Sequence, residues 1–210
     1  MKPYLFGVRR GIHIFDLVQT REALVKTCDE LRALQKSGKT ILFVSTKLQS
    51  LALIEELSRT TGQPVVTKKW VPGLLTNWST LKNRIRYYLD LKTSFQTGEI
   101  EKFTKKEQTM KRKELTKLDA ALSGVSSMRG LPDAVFVVDA VKDRVAVREA
   151  KKIGLPVYGI CDSNGDPDAF KICIPANDDA VKSIEMILTT VGAELGSKAA
   201  ITNDADEKKA

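Results

Sequence analysis

Residues 40–44, Thr-Ile-Leu-Phe-Val, are an apolar run without alternation, set between Gly38 and the polar pair Ser45-Thr46. A strand of that kind is buried on both faces, the condition found inside parallel sheets. Further strand-like runs follow at residues 64–66 (PVV), 134–138 (AVFVV), 156–160 (PVYGI) and 171–174 (KICI), and one precedes them at 11–15 (GIHIF). Helical patterns fill the gaps. Asp16 caps a helix with apolar Leu17, Leu24, Cys28, Leu31 and Leu34, ended by Ser37-Gly38. Ser45 or Thr46 caps a second with Leu48, Leu51, Ala52 and Leu57, closed by Thr61-Gly62. Residues 143–153 and 178–191 complete the set, the last capped near Asn177. Strands separated by helices predict a doubly wound parallel sheet of the α/β class, with right-handed crossovers.

One stretch breaks the alternation. Residues 79–96 carry Leu81, Ile85, Tyr88 and Phe95 at spacings of 4, 3 and 7, a short heptad stripe. Thr97-Gly98 interrupts it. Thr104 and Glu107 then make a capping box for a second charged helix with Met110, Leu115, Leu118 and Leu122, ended by Gly124. Two such helices form an antiparallel hairpin. The expected organisation is an α/β domain from residues 1–78 and 126–191, a self-packed helical insertion at 79–125, and a tail at 192–210 without core pattern.

Charge is uneven. Residues 1–130 hold 24 Lys/Arg and 12 Asp/Glu, net +12, while residues 131–210 carry −4. That asymmetry points to a polyanion, nucleic acid first. No apolar run approaches the ~18 residues of a membrane span, so no membrane partner is expected, and the N-terminus lacks the pattern of a signal peptide. The three cysteines, Cys28, Cys161 and Cys173, are odd in number and lack C-x-x-C spacing. They read as buried thiols of a reducing, cytosolic compartment.

Enzyme and cofactor motifs fail on spacing. Ser37-Gly38-Lys39-Thr40 resembles the end of a phosphate-binding loop, but Ala33 stands at the required first glycine and the segment precedes a strand. Asp162-Ser163-Asn164-Gly165-Asp166 resembles half a calcium loop, but Pro167 and Cys173 occupy its glycine and glutamate positions. His13 is the lone histidine. Asp139, Asp162 and Asp166 sit where α/β enzymes place carboxylates, without an acid–base partner. No catalytic residue, metal site, cofactor or small-molecule substrate is expected.

Residues 68–78, Lys-Lys-Trp-Val-Pro-Gly-Leu-Leu-Thr-Asn-Trp, combine cations, flat aromatics and an amide around a Pro-Gly turn. Phosphates and unstacked bases require such groups. Packing of the tryptophans against the core is the competing reading. The candidate RNA-binding set is Lys68, Lys69, Trp70, Asn77 and Trp78, with Lys82 and Arg84 on the next helix, and Arg9, Arg10 and Lys47 near the same edge of the sheet.

Seven ordered blocks resemble the bacterial-type small-subunit ribosomal protein two family: residues 2–17, 41–47, 68–78, 104–118, 130–140, 154–168 and 174–180. The resemblance implies a flavodoxin-like domain with a protruding coiled-coil hairpin and a structural, non-enzymatic role in translation. It implies binding to small-subunit ribosomal RNA and to neighbouring subunit proteins, with ribosomal protein one as a further partner. The family usually begins with a further helix and a loop ending Trp-Asn-Pro-Lys-Met; this sequence opens at that Met. Val71-Pro72-Gly73 replaces the usual Leu-Gly-Gly, Ser45 a glycine and Leu48 an arginine.

Overall fold

In the computed structural model, residues 1–196 are described. The chain opens with β1 (Leu5–Arg9) and β2 (Ile12–Phe15), which pair only with each other. Residues 11–15 are thus half of a separate two-stranded ribbon, not a strand of the main sheet. Arg10 (φ 52°) and Gly11 (φ 79°) supply the two left-handed positions its tight turn requires. The sequence reading missed β1 because Gly7 and Arg9 interrupt its apolar pattern.

Next come α1 (Leu17–Lys36), β3 (Ile41–Val44), α2 (Leu51–Thr61) and β4 (Val65–Val66). Asp16 caps α1, accepting from the Val18 N–H at 3.0 Å. The second helix begins at Leu51, after a 3-10 turn at Leu48–Ser50, so Leu48 and Ala52 face solvent. Neither Ser45 nor Thr46 caps it: Thr46 turns instead to Asp143. The chain continues through α3 (Trp78–Gln96), α4 (Lys105–Leu122), β5 (Ala134–Val137), α5 (Arg144–Lys152), β6 (Val157–Cys161), β7 (Ile172–Pro175) and α6 (Val181–Gly196). The Thr104–Glu107 capping box is present at the start of α4. The last helix runs past residue 191 and buries Leu195; the rest of the expected tail, 197–210, lies outside the described residues.

The five main strands are parallel, ordered β4-β3-β5-β6-β7. Alternate residues of β3 separate two cores, as a strand's pleat demands. Ile41 and Phe43 pack with α1, α2 and α6 through Leu31, Ile54, Ile184 and Val191. Leu42 and Val44 pack on the other face with Trp70, Leu74, Leu81, Ile85, Leu118, Leu122 and Val147.

That second core corrects the expected insertion. α3 and α4 do lie between β4 and β5 and pair with each other, with Tyr88 Oη donating to Asp119 at 2.7 Å. Their roots, however, share one core with the sheet. At the hairpin's exit, a Cβ on Gly124 would stand 2.2 Å from the Val65 carbonyl oxygen, so the chain can pass there only because residue 124 lacks one. A self-packed hairpin that leaves the core untouched is not what this packing shows.

Candidate nucleic-acid interface

The candidate residues sort by where their charge points. Lys68 and Lys69 follow β4 and are exposed, as are Asn77, Lys82 and Arg84. Lys69 and Arg84 line an open groove of about 1050 Å³ between the loop after β4 and the hairpin. Lys111, Lys113 and Lys117 of α4 line it too, against Glu107 and Glu114. The three α4 lysines were passed over individually, although the run Lys-Arg-Lys at 111–113 in a helical pattern was a visible signal. Arg9 and Arg10 are exposed at the tip of the ribbon. The ribbon leads into α1, which packs against β7, whereas the lysine loop leaves β4. These two basic points therefore flank the sheet, four strand spacings or about 19 Å apart at their roots.

Trp70 does not face a ligand. It is 7 % exposed, and its indole N–H donates to Glu149 Oε1 at 3.0 Å. The same carboxylate accepts from the backbone N–H groups of Gly73 (2.7 Å), Leu75 (3.1 Å) and Thr76 (3.3 Å), and from the Thr76 hydroxyl (3.2 Å). Burial raises the Glu149 carboxyl, but these donors outweigh it and hold the group below the ordinary range. The Trp-Val-Pro-Gly-Leu-Leu-Thr loop is thus wound around one buried carboxylate of α5. The signal for Glu149 was present: it falls on the apolar face of α5 with Ala146 and Ala150. Trp78 is half-buried against the same core.

Lys47 also turns inward. It is 7 % exposed, with Nζ 2.6 Å from Asp178 Oδ1, 2.7 Å from Asp179 Oδ1 and 2.9 Å from Asp139 Oδ2. It donates to the Asp178 carbonyl oxygen as well, at 2.8 Å. Burial would lower the lysine, but bonds to the three carboxylates raise it above its usual value. Asp139 and Asp178 are removed from water and need a compensating cation, and this, not a phosphate, is what Lys47 serves. Asp162, Asp178 and Asp179 bring oxygens within 4.8 Å of one another, but the ammonium already occupies two of them. Beside this cluster Asp143 accepts from the Thr46 hydroxyl (2.8 Å) and N–H (3.1 Å); burial pushes its carboxyl up, against the lowering effect of the Thr46 bonds. Lys47 follows β3 and Asp139 follows β5, at the switch point where doubly wound sheets take ligands. Here that crevice is filled by the protein's own ion pairs, and Asp139 is part of the filling.

A family model described as ribosomal protein S2 matches residues 1–196. The chain belongs to the ribosomal protein S2 family. It is 39% identical over 209 residues to the small ribosomal subunit protein uS2c of Rhodomonas salina, covering 99% of this chain and 86% of the relative. It is 45% identical over 191 residues to the uS2 protein of Coprothermobacter proteolyticus, covering 91% and 71%. The uS2 protein of Nitratiruptor matches at 44% over 186 residues, 89% and 70%. Family membership makes the chain a structural ribosomal protein and not an enzyme, which agrees with a switch point closed by ion pairs. Within an S2-type protein, the strong Lys47 and Trp70 signals of the sequence are scaffold, while the exposed cations remain on the loop, the groove and the ribbon tip.

Proposed function

We propose that the protein holds its place in the small ribosomal subunit through ribosomal RNA contacts made by the exposed cations on both flanks of the sheet. The carrying observation is the groove that gathers Lys69, Arg84, Lys111, Lys113 and Lys117 beside exposed Lys68. Solvated cations on a fixed scaffold attract phosphates without reading sequence. Exposed Lys82 and Asn77 and half-buried Trp78 adjoin it in sequence, and Arg9 and Arg10 form a second basic point across the sheet. Neighbouring subunit proteins, ribosomal protein one among them, meet the apolar parts of the exterior; the ribbon offers Phe6, Val8, Ile12 and Ile14, all exposed.

The test is the double change Lys68→Glu, Lys69→Glu. Exposed charges rarely alter stability by more than ~0.5 kcal/mol, so the variant should melt like the parent. Its co-sedimentation with small subunits should weaken clearly, since two attractive contacts become repulsive. Equal co-sedimentation would place the RNA elsewhere on the molecule.

A further inference from the structure

Cys161 ends β6 and Cys173 lies in β7, its neighbour. Gly159 is paired with Cys173 and Cys161 with Pro175, so the two cysteines project from one face of the sheet, diagonal across the ladder. Both are buried and free of disulfide. The Cys173 side chain lowers the Cys161 thiol against the raising effect of burial, while the Cys161 side chain and burial push the Cys173 thiol up. Cys161 Sγ also lies 3.6 Å from Met1 Sδ. The turn after β6 folds over this sulfur: a Cβ on Gly165 would meet Cys161 Sγ at 2.5 Å.

We propose that Cys161, Cys173 and Met1 form a binding site for one soft monovalent d¹⁰ cation of the copper(I) class. Thiolate and thioether sulfur select that class over hard cations. Among the described residues, no histidine or carboxylate completes a group of three or more ligands with the two thiols, whereas zinc takes four. Three sulfurs around a metal at about 2.3 Å, in a trigonal plane, stand about 4.0 Å apart. The 3.6 Å between Cys161 Sγ and Met1 Sδ therefore needs an opening of only a few tenths of an ångström. Loading releases the two thiol protons to solvent and transfers no electron, because the metal arrives already as copper(I). The site stands independently of the RNA contacts.

The experiment uses the full reduced chain under anaerobic conditions, titrated with copper(I) presented as its bicinchoninate complex. The expected result is withdrawal of one equivalent by the parent and by Cys28→Ser. Cys161→Ser and Cys173→Ser should bind at least about tenfold more weakly, since loss of even an outer partner of a ligand costs 10–100-fold. X-ray absorption of the loaded parent should show three sulfur neighbours. The parent alone gives a second readout that no folding defect can confuse: copper(I) should protect Cys161 and Cys173 from alkylation and leave Cys28 unchanged. No withdrawal, equal uptake by Cys161→Ser, oxygen or nitrogen neighbours, equal retention of zinc, or protection of Cys28 instead would each overturn the assignment.

Discussion

Replacing Lys47 by Met removes one ammonium and keeps most of the side chain's volume. What remains is Asp139 and Asp178, whose side chains are almost fully enclosed, and Asp179, whose side chain is 76% exposed. Asp139 keeps donors in the Val141 and Lys142 N–H groups, at 2.9 and 2.8 Å. Asp178 loses its principal cation. Breaking a buried ion pair by deleting one partner costs about 3–5 kcal/mol, so at neutral pH the variant should lose that much. At roughly 2–4 °C per kcal/mol for a chain this size, Tm should fall by about 6–20 °C. The exposed partner contributes far less: Asp179→Ala should cost under about 1 kcal/mol. The loss has a pH signature. Burial already holds the Asp178 carboxyl above the ordinary range, against the lowering effect of Lys47. A carboxyl whose folded pKa is raised takes up its proton more readily folded than unfolded, so stability from this group improves as pH falls through the folded value. Without Lys47 that value climbs further, and the deficit should narrow between about pH 7 and pH 4, across the range where buried carboxylates protonate. Lys47 itself stays charged throughout and adds no slope there. Paired thermal or urea melts of Lys47→Met and parent at the two pH values are the assay, with Lys47→Met/Asp178→Asn as the repair. A deficit below about 1 kcal/mol, or one that widens on acidification, would refute the role of Lys47 as the cluster's counter-charge.

Glu149→Gln should destabilise by about 2–3 kcal/mol, because the amide brings an NH₂ donor to a site already crowded with donors; a red shift of tryptophan emission, read alongside the melts, would report release of Trp70. Since its folded pKa is lowered, the parent's share of stability from Glu149 is present above the unfolded value and fades as pH falls through the folded one, so the Gln variant should melt with a weaker acid dependence. Excision of residues 79–125 should abolish cooperative unfolding, whereas a short linker in place of residues 92–114 should preserve it; the reverse outcome in calorimetry would separate the hairpin root from the core. RNA affinity should drop at least ~10-fold between 50 and 200 mM salt, and a flat dependence in filter binding would remove the phosphate-contact reading.

The central sheet was legible because its strands are apolar throughout, a pattern that only burial on two faces allows. Helices α3 and α4 were legible through their stripe and the Thr104–Glu107 box. What escaped was direction. Lys47 and Trp70 carry a charge and an indole N–H suited to a ligand, but their partners, Asp139, Asp178 and Glu149, lie 79 to 131 residues away, and no local pattern announces so distant a pairing. The root of the hairpin escaped for a related reason. Leu81 and Leu122 look alike whether they meet each other or Leu42 and Val44. Gly124 reads as a helix end in the sequence; its contact with Val65 needs the fold.

The clamped root gives the hairpin the mechanics of a cantilever. Its entry loop is tied to α5 by the donors around Glu149, and its exit passes under Val65 with no room for a side chain. Neither end has the slack that a hinge requires. α3 has 19 residues, about 28 Å at 1.5 Å per residue, so a tilt of about one degree at the root moves the tip by only about 0.5 Å over that length. A load on the tip is therefore carried as torque into β4, α5 and the second core rather than absorbed by bending at a joint. Strain applied by a neighbour more than 20 Å away, about two-thirds of the helix length, would register first as altered hydrogen exchange at Gly73, Leu75 and Thr76, whose N–H groups hold the root in place.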